Sequence, residues 1–256
     1  MAFQRSSVKL EGKVGDLSFY KVDDEYYAKH LTGHSKERIA NDPGFARTRE
    51  NASEFGSASL FAKQLKLNLK LALGNTIELF NDPSLTNRLV KRMASIIKAD
   101  SVNARGKRTI SASNLSLFTG FSMNSGMSLK DALFIPVNPE WLKQEGLVQV
   151  QIPDFNPGAA IDFPKEASRF CFHCCVIAVA DGEMTNTSTQ SALFDINTAF
   201  IAQSLNLELA ETESEVLLIA FGISFYSMVA GYPVPLIAPC KNALDIVKVL
   251  LIDEMV

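Results

Sequence analysis

Residues 41–100 read NDPGFARTRENASEFGSASLFAKQLKLNLKLALGNTIELFNDPSLTNRLVKRMASIIKAD; the tripeptide Asn-Asp-Pro opens the stretch and returns at Asn81-Asp82-Pro83. An Asp N-cap followed by Pro at the first helical position marks a helix start, so the repeat predicts two helices. After Pro43, residues Phe45, Ala52, Phe55, Ser59, Ala62 and Lys66 recur at helical spacing, and Gly56, Ser57, Ala58 and Ser59 add a small-residue face. Leu65, Leu67, Leu69, Leu71 and Leu73 alternate with polar residues or Ala, which in isolation favours a strand. Helix prevails, because Leu, Lys, Gln and Ala are strong helix formers, no β-branched residue interrupts the run, and Gly74 supplies a stop. The second helix carries Leu85, Leu89, Met93 and Ile96 or Ile97 on one face and Arg88, Lys91 and Arg92 on the other, ending near Asp100.

β-type sequence flanks this helical middle. Gly12, Gly15, Leu17 and Phe19, then the acidic Asp23-Asp24-Glu25, then Tyr26 and Tyr27, predict an N-terminal β-hairpin. Residues 30–40 lack an apolar period and read as a connector. From Ser101 onward, Ser and Asn with Pro136, Pro139, Pro153 and Pro157 punctuate short apolar runs. Strands are expected at 116–121, 147–152, 168–180, 205–210, 215–229, 234–237 and 244–251, with hairpin turns at Asp181-Gly182 and Ala230-Gly231-Tyr232. So many strands imply a sandwich or barrel. The fold class is α+β, divided into a hairpin and connector (1–40), a helical segment (41–100) and a β-domain (101–256).

The 256 residues are 47% hydrophobic, enough for a sizeable core, and a net charge of -3 excludes a global basic field for nucleic acid or anionic membranes. Four cysteines, three of them at Cys171, Cys174 and Cys175, do not resemble a disulfide framework and suit a reducing interior. Mean hydropathy is +0.08, slightly apolar for a soluble chain. Gln4, Arg5, Ser6 and Ser7 stand where a secretory signal needs an apolar core, and residues 216–231 are too short for a spanning helix. A soluble, cytoplasmic protein without membrane insertion is the expectation.

Chemistry-bearing motifs are sparse. Cys171-Phe172-His173-Cys174-Cys175 suggests zinc, but in a strand Cys171, His173 and Cys175 share one face and Cys174 the other, and Cys240 is the only other sulfur donor among the cysteines. Buried, metal-free cysteines are expected. His30 and His34 have helical metal-pair spacing in a segment without helical period. No histidine is placed beside a nucleophile and an acidic orienter, and the nucleophile elbow and P-loop are absent, so no enzyme activity and no cofactor are expected. Gly12-Lys13-Val14-Gly15 matches a nucleic-acid-clamping loop in letters only and reads as a strand bend. Glu211, Glu213 and Glu215 read as an exposed acidic turn. Arg105, Lys107 and Arg108, with Arg88, Lys91 and Arg92, form a local basic group able to contact phosphates, though without interleaved aromatics.

The hairpin GKVGDLSFYKVDDEYYAK (12–29), the segment NDPGFARTRENASEFGSASLFAKQLK (41–66), the stretch GKRTISASNLSLFTGFSMN (106–124), and FGISFYSMVAGYPVPL (221–236) before NALDIVKV (242–249) together resemble a family of uncharacterised Bacteroidota proteins. The resemblance spans nearly the whole chain. It implies a Gly-Lys-x-Gly hairpin, a helix and a C-terminal immunoglobulin-like antiparallel β-sandwich, with no catalytic residues to transfer. The expected function is a non-enzymatic structural protein that self-associates into a homo-oligomer or extended assembly, with Phe3, Phe19, Tyr20, Tyr26 and Tyr27 as interface candidates. The alternative is a nucleic-acid-binding accessory protein using Arg88, Lys91, Arg92, Arg105, Lys107 and Arg108.

Overall fold

A computed structural model of the chain describes all residues except 1, 31–32, 81, 181, 210–215, 238–240 and 253–256. Two compact units emerge, Met1–Glu50 and Asn51–Val256.

In the first unit, β1 (Ala2–Phe3), β2 (Gly12–Val14), β3 (Leu17–Val22) and β4 (Glu25–His30) form an antiparallel sheet in the order β1-β4-β3-β2. The expected hairpin is its centre: Val22 pairs with Glu25 across Asp23-Asp24, and Asp23 takes φ 54, a left-handed conformation that Asp tolerates better than most residues. Gly15-Asp16 makes a second tight turn between β2 and β3, so the Gly-Lys-x-Gly motif is hairpin geometry. Within the expected connector a short helix forms, α1 (Lys36–Asn41), because the Ser35 hydroxyl accepts a hydrogen bond from the Arg38 N–H at 3.1 Å. One turn held by a cap needs no apolar stripe. Asp42 accepts from the Gly44 N–H at 2.8 Å and caps the 3₁₀ turn Pro43–Phe45, which runs into α2 (Ala46–Leu73).

The second unit is built on two cores. On α2 the buried positions are Ala58, Ala62, Leu65, Leu69 and Leu73, with Glu54 and Asn68. The alternating leucines therefore resolve at helical spacing: every second one is buried, while Leu67 and Leu71 face out. The stripe expected through Phe55, Ser59 and Lys66 is displaced around the helix, because the leucine-rich half fixes the buried face and the small Ala58 continues it. Gly74, at φ 55, ends the helix. Helix α3 (Leu85–Lys98) buries Leu85, Leu89, Met93, Ile96 and Ile97, the face read from sequence. Two single-turn helices follow, α4 (Ala112–Leu115) and α5 (Leu129–Ala132). Residues 116–121, expected as a strand, contain instead the 3₁₀ turn Ser116–Phe118, with Phe118 buried and stacked 4.9 Å from Phe121.

Strands β5 (Asn138–Leu142), β6 (Leu147–Ile152) and, after the short α6 (Pro157–Ala160), β7 (Arg169–Ala180), β8 (Glu183–Gln190), β9 (Phe194–Asp195), β10 (Gln203–Glu208), β11 (Val216–Val229), β12 (Tyr232–Pro235) and β13 (Ala243–Leu251) form two antiparallel sheets. One has the order β10-β6-β5; the other runs β12-β11-β7-β8, with β13 also on β11 and β9 on β7. Ala230 (φ 51) and Gly231 (φ 86) make the expected β11–β12 turn; Asp181 lies outside the described residues, and Ala180 pairs with Glu183 across it. Cys175, Ile177, Leu218 and Ala220 on the larger sheet join the helices in one core. Phe172, Cys174, Val176, Ile219 and Phe221 join Val148, Val150 and Leu205 of the smaller sheet in the other. From residue 51 onward the helical segment thus shares a core with the sheet, and the chain divides between residues 50 and 51, within α2.

The two Asn-Asp-Pro sites differ in kind. Asp82 is nearly buried; one oxygen accepts from the Ser84 N–H at 2.7 Å, and the other from Arg88 Nη2 at 2.6 Å and the Ser125 N–H at 3.1 Å. The backbone N-cap of α3 is Ser84, so Asp82 works as a latch ahead of the helix rather than as the cap expected. Burial opposes its ionisation, yet the bonds from Ser84, Arg88 and Ser125 outweigh burial and hold its carboxyl well below the usual range. Asp42→Ala should cost about 1 kcal/mol, the loss of an exposed cap. Asp82→Ala should cost about 3 kcal/mol, because it strands a partly buried guanidinium. Urea denaturation of both variants checks this; equal losses would show that Asp82 is only a cap.

Candidate functional site

A cavity of about 790 Å³ is lined by α2 (Asn51, Ala52, Glu54, Phe55), the end of α3 (Ala94, Lys98) and the following loop (Arg105, Arg108). Two buried carboxylates shape that loop. Asp100 accepts from the N–H groups of Val102 (2.9 Å), Asn103 (3.0 Å) and Thr109 (3.0 Å) and from the Asn103 side chain (2.9 Å). These bonds, the Asn103 side chain foremost and then the Thr109 N–H, keep its carboxyl strongly ionised. Glu54 accepts from the Gly106 N–H at 2.8 Å, and Gly106 adopts φ 84 to present it. With both ends fixed, Arg105 reaches the Asn51 side chain at 2.7 Å and Arg108 enters the cavity, its Nε buried without a hydrogen-bond acceptor. Lys98 adds a third cation, and Phe55, 60% exposed, adds an aromatic surface. Lys98, Arg105 and Arg108 thus line the cavity together with the Glu54 carboxylate.

Of the six basic residues singled out in the sequence, the structure brings Arg105 and Arg108 together there. Arg88 is committed elsewhere: beyond Asp82, it donates to the carbonyls of Ser122 (2.8 Å) and Met123 (2.7 Å) and lies 5.2 Å over the Phe121 ring. Arg92 donates to the Leu117 carbonyl at 2.5 Å, while Lys91 and Lys107 are exposed and do not line the cavity. Lys98 and Phe55 join the site without a signal in the linear sequence, although an aromatic beside the cations is the element found wanting there. The helical period puts Phe55 on the core stripe of α2, whereas the true buried face is rotated away from it.

The cysteine cluster alternates as a strand should. Cys175 faces the helices, Cys174 the smaller sheet, and the Cys171 thiol approaches the Ser191 carbonyl at 3.3 Å. Burial raises all three thiols, Cys175 to about 12. Cys240 and the acidic 211–215 segment lie outside the described residues. His34 packs edge-on against Phe45 at 4.7 Å. His173 Nε2 lies 2.7 Å from Ser224 Oγ, the spacing of a base and a nucleophile, but the two residues are 1% and 0% exposed and no substrate can reach them. The ring packs edge-on against Phe80 at 5.5 Å, and burial lowers its pKa to about 4.

No protein-family model, no curated protein and no solved structure matches the chain. Among the described residues, no helix is long and apolar enough to cross a membrane.

Because His173 is held below its ordinary 6.5 when folded, its contribution to stability is complete above about pH 6.5 and is lost as pH falls toward 4, where only the unfolded chain binds the proton readily. The depression corresponds to at most about 3 kcal/mol. His173→Gln, which can still meet the Ser224 hydroxyl, should flatten the fall in urea midpoint between pH 6.5 and 4. An unchanged acid limb would assign the pH dependence to other groups.

Proposed function

We propose that the protein is a non-enzymatic, self-associating structural protein whose N-terminal sheet is the contact. One observation carries this: no described residue of the first fifty is buried, although that segment holds Phe3, Phe19, Tyr20, Tyr26 and Tyr27. A sheet becomes stable when one face packs on something apolar, and this one has no core of its own. Its aromatics divide between two faces. Tyr20 pairs with Tyr27 and Phe3 with Tyr27, giving ring separations of 5.8 and 4.7 Å on one face. Phe19 and Tyr26 occupy the other, where Lys9 and Lys21 lie over the Tyr26 ring. Lys29 likewise lies 5.4 Å over the Tyr20 ring, so each face carries a cation on an aromatic. The Phe3–Tyr27–Tyr20 face, with its three rings in contact through Tyr27, is the better docking face, and a second copy of it the natural partner, since identical aromatic strips satisfy a two-fold contact. The edge strands β1 and β2 have two and three residues, too short for strand addition to dominate. Leu60, Leu67 and Leu71 leave an exposed apolar stripe on α2 that would suit extension of the assembly. For the C-terminal region we retain an immunoglobulin-like sandwich as the proposal, supported by two antiparallel sheets over a common core.

A second function, binding of single-stranded nucleic acid, is supported by the cavity in which Lys98, Arg105 and Arg108 surround Phe55, a pairing of cations with a stacking surface.

Light scattering of the full chain should show an oligomer, and Tyr20→Ser with Tyr27→Ser should yield a folded species of lower mass. A full chain that stays monomeric at high concentration overturns the assembly. For the second function, a labelled oligonucleotide should bind with an affinity that falls with salt. Replacing Arg105 and Arg108 by Ala should reduce the slope of log affinity against log salt by about 1.4, since each phosphate neutralised on a single strand adds about 0.7 to that slope. Salt-independent binding, or none at low salt, rules it out.

A further inference from the structure

Strand β11 runs on past its neighbours in the larger sheet. Its pairing with β13 ends at Ile223↔Ala243 and that with β7 at Tyr226↔Arg169. Beyond that point, among the described residues, it pairs with β12 alone, across the turn Ala230-Gly231. Residues 227–235 are therefore a two-stranded ribbon at the end of the sheet, and it is open on both faces. On one face stand Val229, opposite Tyr232, and Val234; on the other stands Met228, opposite Pro233. Val229 is 57% and Tyr232 75% exposed, and Met228, Pro233 and Val234 are exposed too. No charged residue occurs from Val216 to Cys240, and the ribbon lacks the Asn and Asp of an ordinary solvated turn.

We propose that this ribbon is a membrane-contact element, which dips into the boundary between headgroups and acyl chains of one bilayer leaflet. A protein surface covers one face of a ribbon, whereas a fluid medium covers both, and here both are apolar. The edge argues the same way. Val229 and Tyr232 flank a two-residue turn and form a hydrogen-bonded pair, so by alternation Pro233 and Pro235, opposite Met228 and Tyr226, hold non-hydrogen-bonded positions. An N–H at either position would point outward from the sheet. Proline removes those donors, which denies a docking strand its partners and leaves fewer orphan polar groups to bury in lipid. Tyr232 has the amphipathic ring favoured at headgroup level. The reach fits one leaflet only: four residues extend about 13 Å, against about 30 Å for the whole hydrocarbon core. With no charge of its own, the ribbon does not select anionic lipid, so a neutral bilayer suffices.

The test is flotation of the full chain with phosphatidylcholine vesicles in low and high salt. The chain is expected to float with the vesicles in both, since apolar insertion is not screened. Tyr232→Asp should weaken the partition about tenfold or more, and Met228→Gln, on the opposite face, should weaken it severalfold, with urea midpoints unchanged. If the Asp variant does not fold, Met228→Gln decides. Tyr232→Trp should add emission that shifts to the blue with vesicles and is quenched by lipid brominated high on the acyl chain. No flotation, flotation lost in high salt, undiminished flotation of either variant, or no quenching of the introduced indole overturns the proposal. A lower mass of Tyr232→Asp in light scattering, without vesicle binding by the parent chain, would assign the ribbon to a contact between copies and overturn it as well.

Discussion

Eleven consecutive cross-strand pairs join β7 to β11, from Val216↔Val179 to Tyr226↔Arg169, and for most of that length both faces of the ladder are out of water. Helices cover one face and the smaller sheet the other, so residues of both parities along each strand must be apolar or internally satisfied. This explains the apolar runs at Phe170–Val179 and Val216–Phe225, interrupted by the polar His173 in the first and Ser224 in the second. It also removes the usual determinant of register. In a half-buried strand a one-residue slip exposes the apolar set to solvent, but here both faces are apolar and a slip would cost little on that account.

Buried polar groups supply the missing determinant. His173 and Ser224 meet at 2.7 Å only in the observed register. Gly222, opposite His173, has the Ala243 carbonyl at 2.4 Å from where a Cβ would stand, so β13 can approach β11 only at a glycine. Asn242 accepts from the Phe225 N–H at 3.0 Å and donates to the carbonyls of Leu79 and Leu236, tying the helix side of the sheet to β13's entry. Each of these would be left unpaired or in collision by a shift of one residue, a penalty larger than any difference in apolar contact.

Local rules make the helices legible: the Asn-Asp-Pro signals, the stripe from Leu85 to Ile97 and the stop at Gly74 follow from short-range chemistry. The longest strands are legible for the same reason. β5 is hidden because Pro139 lies within it, and β8 because its sequence EMTNTSTQ offers no apolar alternation at the sheet edge. The 3₁₀ turn at Ser116–Phe118 has strand-like composition, and its form is set by packing of Phe118 into the helical core. The cavity at Arg105 and Arg108 is half legible. Its cations stand close in sequence, but the loop that aims them is closed by Asp100 and Glu54, and Glu54 acts across 52 residues.

The same long-range logic connects the polar groups between the two cores. Arg88 holds the carbonyls of Ser122 and Met123, Asp82 holds the Ser125 N–H, Asn124 donates to the Asn242 carbonyl at 2.7 Å, and Leu129 donates to Asp245. Segment 122–129 is thus bonded to α3 and to the β13 strand and its approach. Nearly every polar group along this belt has its partner, as a buried network requires. Asp245 Oδ1 is the member of the belt without a hydrogen-bond partner. By contrast, the described residues among the first fifty include no buried group, polar or apolar, and their sheet is held by its ladder, by the Gln4 side chain bonded to Leu10 and Tyr27, and by ring contacts. The two units therefore differ in what holds them: the second rests on two buried cores and a bonded polar belt, the first on its ladder and on contacts between partly exposed rings.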